Sequence, residues 1–462
     1  MGPGPFCYTI AIGRWPQESS DLNEKRNAVI HKKTCAWIGL GLATALALSG
    51  CSAASDAADG TVNLQMVESL TNPARTDVLK GLISDFEAKN PGITVELISP
   101  PTEQADQKIQ QMLQSGTGVD VLEVRDITVG PFSTNGWLYD MSDELAGWAG
   151  WDDLTVNAAK YATNADGKSY YIPYGFYGAS LFYRTDLIKE AGFSAPPTSW
   201  DELLTQATAL QDESKSQFGY AFRGGKNGNT NVVLAIEAYV ADQIDQDNAF
   251  KLTDGSTIFA APEAADALET YFALFENASP PSSVAWGYPE MVEGFANGST
   301  GFLLQDPEVI ATLEQAQSIS VDQWTTAPMP TGPTGKAIQP MATAGWGTAE
   351  SSEHKAESAK LISFLSEGDA SATFTQKNSL VPILKDAADS DFYKTGAWAS
   401  YVTMNENPDT YITAVQPRDS SWWTDWIQKS DSELQQVLIG QMTQKELLAS
   451  WDAYWVEKWK NA

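Results

Sequence analysis

Residues 61–124 decide the fold and read TVNLQMVESLTNPARTDVLKGLISDFEAKNPGITVELISPPTEQADQKIQQMLQSGTGVDVLEV. Three apolar runs, at 61–67, 93–98 and 119–124, have the length of buried strands. Apolar residues between these runs recur at helical spacing, and Asn90-Pro-Gly92 stops the first helix. Because parallel strands need such helical crossovers, the segment predicts the start of a doubly wound α/β sheet.

Length and composition bound the number of domains and the class of partner. At about 150 residues per domain, a chain of 462 residues predicts two or three domains. A hydrophobic content of 43% supplies a sizeable core. The formal net charge of −30 argues against nucleic acid or an anionic membrane surface as a partner.

The first fifty residues contain the features of an export signal. A cluster of Lys and Arg precedes an apolar run from Cys35 to Leu48, and a run of about 14 residues is too short to span a bilayer. The run ends in Leu48-Ser-Gly-Cys51, which resembles a bacterial lipoprotein lipobox and implies cleavage before Cys51 and lipidation of its thiol. We therefore expect residues 1–50 to be a signal peptide and residues 51–60, rich in Ser, Ala, Asp and Gly, to be a tether.

Removal of that leader leaves little material for metal or nucleophilic chemistry. Cys51 is the one remaining Cys and His354 the one remaining His, which excludes a disulfide and a multi-His metal site. We expect no metal and no cofactor. A Ser-His-Asp triad would have to use His354, which stands in the polar opening of a predicted helix.

Candidate ligand-binding residues follow the predicted strands and occur among the Trp residues. Ligands of open α/β sheets lie beyond the carboxyl ends of parallel strands, which points to Glu68, Glu123, Arg125 and Asp126. A carboxylate beside an arginine suits vicinal hydroxyls, although a surface ion pair of little energetic value would have the same pattern. Several of the 16 Trp residues stand beside turn residues, where an indole could stack on a sugar ring or simply pack: Trp137, Trp286, Trp346, Trp422 and Trp423.

One glycine-rich segment has the composition of a phosphate site without its spacing. Arg223-Gly-Gly-Lys-Asn-Gly228 is not followed by Gly-Lys-Ser/Thr at the P-loop spacing. We therefore expect no nucleotide there.

The order of several motifs resembles family 1 extracellular solute-binding proteins, the sugar receptors of ABC importers. The resemblance rests on the lipobox, on 86–95 (FEAKNPGITV), on 172–187 (IPYGFYGASLFYRTDL), on 293–298 (EGFANG) and on Gly345-Trp-Gly before a helix. Together these motifs cover nearly all of the chain after residue 60.

The resemblance implies a two-lobed α/β fold, each lobe a mostly parallel sheet flanked by helices, with the ligand in a cleft between the lobes. Lobe 1 would comprise 61–173 and 344–382, and lobe 2 would comprise 174–343 and 383–462. Carried over by position, the cleft would contain the strand-end residues above together with Tyr174, Phe176, Tyr177, Gly178, Trp286, Gln305, Asp306, Glu308, Gly345, Trp346, Trp422 and Trp423. Maltose-type relatives often have a carboxylate where Tyr177 stands and a Trp near Glu308, which puts maltodextrin in doubt but not carbohydrate.

The function implied by the resemblance is a monomeric receptor, anchored by lipid alone to the extracellular face of the bacterial membrane, that delivers carbohydrate to an importer permease. Three alternatives remain at this point: a polyol or glycerophosphodiester receptor, a peptide receptor, and a surface glycoside hydrolase or lyase. A phosphate ligand would need more basic cleft residues than Arg125 alone.

Overall fold

A computed structural model describes residues 61–71, 73–164, 167–418, 420 and 422–461. The predicted leader and the whole predicted tether, including Cys51, lie outside these residues, so signal cleavage and lipidation stay predictions. Within the described residues, no helix is both long enough and apolar enough to cross a membrane. Strands and helices are numbered separately along the chain.

The first sheet has five strands. Their spatial order is β2 (Ile93–Ile98), β1 (Val62–Val67), β3 (Val121–Arg125), β12 (Met341–Thr348) and β4 (Ile172–Gly178). Strand β1 pairs in parallel with β2 and β3, whereas β12 runs antiparallel to both β3 and β4. The predicted β-α-β-α-β opening is therefore confirmed.

Helices cover this sheet and come from two separate parts of the chain. They are α1 (Pro73–Lys89), α2 (Thr102–Ser115), α3 (Asp126–Thr134), α4 (Ser142–Ala146), α5 (Val156–Ala162), α12 (Lys355–Ser366) and α13 (Gly368–Lys377). Helix α1 buries Leu79, Ile83 and Phe86 at helical spacing. The predicted stop ends it, because Gly92 has a φ of 100°, a left-handed conformation that favours glycine, and turns the chain into β2.

The second sheet has four strands, in the order β10 (Trp324–Ala327), β5 (Ser180–Arg184), β9 (Thr300–Gln305) and β6 (Phe218–Tyr220). Strands β6 and β9 are parallel, but β5 is antiparallel to both β9 and β10. The two-lobed α/β fold holds, and the expectation of mostly parallel sheets needs correction: both sheets are mixed. The reason is that β5 follows β4 directly and β12 enters from the second lobe, so neither strand has a helical crossover before it.

The remaining elements accompany the second sheet. They are α6 (Thr185–Glu190), α7 (Trp200–Leu210), α8 (Asn229–Tyr239), α9 (Pro262–Ala278), α10 (Tyr288–Ala296), α11 (Glu308–Glu314), α14 (Lys385–Ala388), α15 (Asp391–Lys394), α16 (Ala399–Glu406), α17 (Trp423–Leu438) and α18 (Gln444–Asn461), with the strand pairs β7 (Ile244–Asp245)–β8 (Asn248–Leu252) and β11 (Ala337–Gln339)–β13 (Tyr411–Thr413). Their packing accounts for much of the Trp content. Trp426, Trp451 and Trp455 are fully buried and contact Phe250 and Phe259 edge-on or tilted.

The chain passes between the two sheets at two connections. Ala179 alone joins β4 to β5, whereas the longer segment 328–340, which contains β11, joins β10 to β12. The lobe boundaries predicted at 173/174 and 343/344 fall inside β4 and β12, two strands that belong to the first sheet along their whole length. Residues 326–343 are rich in Pro, Gly and Thr, a composition typical of a connecting segment, so the start of β12 at Met341 is not visible in the sequence.

Candidate functional site

A cavity of about 860 Å³, called the cleft below, lies between elements of the two sheets. On the first-sheet side it is lined by residues that follow β1 and β3 and by residues of β4 and β12, including Leu70, Thr71, Arg125, Asp126, Ile127, Tyr177 and residues 341–344. On the opposite side it is lined by α8 and the loop before it, by the turn after β9 and by α17, including Arg223, Lys226, Asn227, Asn231, Gln305, Asp306, Glu308, Gln416, Arg418, Trp423 and Gln428. Side chains from both lobes therefore face one space.

Two carboxyl groups stand at the turn between β9 and α11. The backbone N–H of Glu308 donates to Asp306 Oδ1 at 3.1 Å, which fixes the turn. Burial raises the pKa of Asp306, and burial together with the negative charge of Asp306 raises the pKa of Glu308. This pair therefore titrates closer to neutral pH than isolated carboxyl groups do.

The glycine-rich loop before α8 presents two basic side chains to the cleft. The Nε of Arg223 donates to the carbonyl of Lys226 at 2.9 Å, which folds the guanidinium back over the loop. Within the described part of the chain, no carboxylate forms a salt bridge with Arg223 or Lys226. Burial lowers the pKa of Arg223, against the attraction of Asp431 and Asp306. An acceptor on a ligand would supply the partner that this charge lacks.

The backbone amides of the same loop already hold an anion that belongs to the chain. Asp431 accepts the N–H groups of Asn227 at 2.6 Å and Asn229 at 3.1 Å. The absence of a P-loop spacing therefore has a structural counterpart: the amides that could receive a phosphate bind the Asp431 carboxylate instead.

The other two arginines of the cleft are paired. Arg125 forms an ion pair with Asp106 on α2. Arg418 Nε lies 3.3 Å from the carboxylate of Asp126. Asp126 begins α3 of the first lobe, whereas Arg418 follows β13 beside the second lobe, so this pair bridges the cleft.

The strand-end carboxylates meet as the topology predicts, but they lie beneath the cleft. Arg75 of α1 donates to Glu68 at 3.1 Å and to Glu123 at 2.7 Å, and all three side chains are almost completely buried. Thr76 donates to the other oxygen of Glu68 at 2.6 Å. Glu68 and Glu123 are therefore already bonded within the first lobe, and neither lines the cleft.

Two tyrosines of β4 connect this buried cluster to the cleft. The Tyr174 hydroxyl donates to Glu123 Oε1 at 2.5 Å, and the Tyr174 and Tyr177 hydroxyl oxygens lie 3.1 Å apart. Tyr174 is buried, whereas Tyr177 is partly exposed and lines the cleft. Burial raises the pKa of both phenols, so both stay protonated at neutral pH.

The predicted site residues divide into two groups by position. Those that line the cleft are Arg125, Asp126, Tyr177, Gln305, Asp306, Glu308 and Trp423. Those that do not are Glu68, Glu123, Tyr174, Phe176, Gly178, Trp286, Gly345, Trp346 and Trp422. Ligand contact by the first group stays a prediction, and direct contact by the second group has no support from its placement.

Each exception has a packing reason, and Trp346 is the clearest. Its indole is 1% exposed and packs against Tyr174 and Phe374, with ring centroids 5.2 and 5.9 Å away. The glycine before it does not open space for a sugar, because a Cβ at Gly345 would stand 2.0 Å from the carbonyl oxygen of Ile172. The glycines around Trp346 serve strand packing.

The other exceptions are held by similar contacts. Phe176 is buried against Tyr161, and Gly178 lies in β4 opposite Met341 of β12. Trp286 packs on Gly294 of α10, where an added Cβ would come within 2.9 Å of the indole. Trp422 contacts the ring of Trp455. Of the Trp residues that the structure describes, Trp423 is the one in the cleft lining.

Sequence reasoning missed the loop residues Arg223, Lys226 and Asn227 and the segment that carries Gln416 and Arg418. The glycine-rich loop is visible as a motif, but its composition suggests a nucleotide site, whose spacing it lacks, rather than part of a sugar cleft. No periodicity marks Gln416 or Arg418, which reach the cleft through the pairing of β13 with β11.

Comparison with known proteins agrees with this architecture. The model of the bacterial extracellular solute-binding protein family matches residues 72–372. A binding protein of Brucella abortus (strain 2308) is 24% identical over 409 residues, which are 87% of this chain and 93% of that protein. The structure of T. maritima MalE3 with bound maltose has a TM-score of 0.71 at 20% identity and covers 85% of this chain and 99% of its own. A solute-binding protein of Agrobacterium radiobacter K84 in complex with ribitol has a TM-score of 0.67 at 19% identity, covering 85% and 98% of the two chains. Because the family model matches more than half of its length, this chain belongs to the bacterial extracellular solute-binding proteins.

Proposed function

We propose that this chain is the lipid-anchored substrate-binding protein of an ABC importer and that it binds a carbohydrate in the cleft. The observation that carries the proposal is the mixed polarity of the lining. Asp126, Asp306 and Glu308 supply acceptors, while Arg223 and Lys226 supply donors without a carboxylate partner among the described residues. A neutral polyhydroxylated ligand satisfies both kinds of group, because each hydroxyl both donates and accepts a hydrogen bond.

Trp423 favours a carbohydrate over a small polar solute as the ligand. It lies at the start of α17 in the cleft lining and is partly exposed. An indole face can cover the C–H face of a sugar ring while neighbouring polar groups bond its hydroxyls. A cavity of about 860 Å³ is also within the range of small-molecule sites and leaves room for more than one sugar ring.

The phosphodiester alternative gains support from basic residues that the sequence did not reveal. Three basic side chains line the cleft in addition to Arg125: Arg223, Lys226 and Arg418. The cleft is therefore richer in basic groups than the sequence predicts, and a shortage of such groups does not exclude a phosphate. Asp306 and Glu308 oppose an anion at the same site, so a neutral sugar remains the first proposal and a phosphodiester the second.

A hydrolase is a weaker candidate because of where the acidic pair lies. Asp306 and Glu308 stand two positions apart in one turn, on the same wall of the cleft. A glycosidase needs an acid and a second carboxylate on opposite sides of the scissile bond. Asp126 is across the cleft, but Arg418 engages it. We propose that the chain binds its ligand without converting it.

Ligand binding would act by favouring a closed arrangement of the lobes. A solute that contacts Tyr177 from the first lobe and Arg223 or Asp306 from the second gains most when both lobes touch it, and only such differential contacts can shift the equilibrium. The closed form would then present one surface to the permease. We propose that the receptor acts as a monomer on the extracellular face of the membrane, held there by lipid on Cys51.

The experiment is a ligand panel on the chain from residue 52 onward, which contains every described element. Thermal shift is measured with neutral sugars, polyols, a glycerophosphodiester and peptides, and each hit is titrated by calorimetry. We expect a sugar to give the largest shift and to be recovered unchanged after overnight incubation. A phosphodiester hit would select the second candidate, and cleaved product would overturn the receptor assignment. Lipid labelling that survives Cys51→Ser would overturn the anchor.

A further inference from the structure

The carboxylate of Glu123 accepts hydrogen bonds from four donors. Its Oε1 accepts from Arg75 at 2.7 Å and from Tyr174 at 2.5 Å, and its Oε2 accepts from the backbone N–H groups of Leu70 at 2.9 Å and of Ser69. Burial opposes its ionisation, but Arg75 and these hydrogen bonds outweigh burial and hold the pKa of Glu123 below its ordinary value. Glu123 is therefore an anion that only accepts.

This anion fixes the direction of the next two hydrogen bonds. A phenol has one hydrogen, and Tyr174 must give its hydrogen to Glu123 because an ionised carboxylate has none to offer. The 3.1 Å contact between the two hydroxyl oxygens can then be a hydrogen bond only if Tyr177 donates and Tyr174 accepts. The hydrogen of Tyr177 is thus directed away from the cleft.

We propose that Tyr177 is a specificity-determining residue that faces the cleft as a hydrogen-bond acceptor only. The inference deepens the proposed function and rests on it for the identity of the site as a ligand cleft. At this position the residue accepts a hydrogen from a hydroxyl or an ammonium group of the solute. It disfavours an ether, a carboxylate or a phosphate oxygen, since two facing acceptors with no hydrogen between them leave both groups unsatisfied.

When it is ionised, the acidic turn on the opposite wall has the same preference. Asp306 and Glu308 line the cleft with Tyr177, and the charge of Glu308 is close enough to raise the pKa of the Tyr177 phenol. A solute group between them therefore meets acceptors on both sides, while Arg223 and Lys226 offer donors elsewhere in the cleft. The buried Arg75–Glu123–Tyr174 chain thereby gives the ligand an orientation, with its hydroxyl donors toward Tyr177.

The hydrogen positions can be observed without any ligand. Neutron diffraction on deuterium-exchanged crystals of the chain from residue 52 onward locates the deuterium on each phenol. We expect the Tyr174 deuterium on the line to Glu123 and the Tyr177 deuterium on the line to Tyr174. A Tyr177 deuterium that points into the cleft, or a deuterium on Glu123, overturns the proposal whatever the ligand is.

The selectivity is tested by titrating maltose and ribitol, each compared with its monodeoxyfluoro derivatives, in which one hydroxyl becomes an acceptor without a hydrogen. For a parent compound that binds, we expect one derivative to bind about tenfold more weakly to the wild type. That loss should shrink in Tyr177→Phe and in Tyr174→Phe, because the latter frees the Tyr177 hydrogen to donate. Trp286→Phe, outside the cleft, serves as the matched control and should keep the wild-type ratio.

Two results would overturn the selectivity claim: equal binding of all derivatives, or a loss that is unchanged in Tyr177→Phe. If neither maltose nor ribitol binds, neither compound is a ligand of the cleft. The deuterium positions still decide the direction of the Tyr177 hydrogen. Circular dichroism of both Tyr variants confirms that removal of a hydroxyl leaves the fold intact.

Discussion

Glu237 on α8 is a buried carboxyl group that forms no salt bridge within the described part of the chain. Its side chain is 0% exposed. Gln416 donates to one oxygen at 3.2 Å, and the other oxygen has no hydrogen-bond partner among the described residues. Burial raises the pKa of Glu237 to about 8, against a small lowering by Gln416, from an ordinary value of 4.5. The folded chain therefore carries Glu237 protonated at neutral pH.

The perturbation is Glu237→Gln, which keeps the shape and removes the titration. Between about pH 4.5 and pH 8 the folded state binds the proton and the unfolded state releases it. The free energy of unfolding must then fall as pH rises, by about 1.4 kcal/mol per pH unit over this range. From pH 5 to pH 7.5 the free energy of unfolding of the wild type should fall by about 3 kcal/mol relative to that of the Gln variant.

The assay is urea unfolding of both variants at pH 5, 6, 7 and 7.5, taken as the difference between them so that every other titration cancels. We expect the free energy of unfolding of the variant, relative to that of the wild type, to rise steadily with pH. The matched control is Glu269→Gln, an exposed residue of α9, whose difference from the wild type should stay flat. A Glu237→Gln difference that is independent of pH would show that burial does not keep Glu237 neutral.

Three further predictions concern the cleft. Trp423→Phe should remove most of the intrinsic fluorescence change on ligand binding, because Trp423 is the indole in the lining among the described residues; a change kept in full would contradict that placement. Asp306→Asn should flatten the pH dependence of affinity. In the wild type, hydroxyl donors favour the ionised Asp306–Glu308 pair, so calorimetric affinity should rise with pH up to neutrality; a fall would reverse the assigned sign. Arg418→Gln should weaken binding by about 0.5 kcal/mol at low salt and less in 1 M NaCl, because the partly exposed pair with Asp126 is screened; a salt-independent loss would indicate direct ligand contact instead.

The sequence predicted the architecture well where periodicity and topology act together. The alternation of apolar runs with helical spacing in 61–124 specified β1 to β3 and their crossovers. The same topology brought Glu68 and Glu123 together, because the carboxyl ends of neighbouring parallel strands share one edge. The sequence could not show that Arg75 would reach from α1 and bind both carboxylates below the cleft.

The limits of prediction at the site have a common physical origin. Trp346 and Trp422 look like exposed stacking platforms in the sequence because turn residues flank them, yet Trp346 is buried against Tyr174 and Trp422 packs against Trp455 outside the cleft lining. An indole supplies a large apolar area, and the α17–α18 packing uses that area as readily as a sugar would. Local sequence reports the type of a side chain, whereas its exposure depends on elements far away in the chain.

If the chain works as proposed, the cleft between the lobes holds the solute through groups from both walls. The most direct measurement is a calorimetric titration with the panel sugar that stabilises the chain most, for the wild type, for Arg223→Gln and for Tyr177→Phe, with Trp286→Phe as control. We expect one site per chain and at least a fivefold loss of affinity, about 1 kcal/mol, in each cleft variant, while the control binds normally. Unchanged affinity in both cleft variants would contradict it.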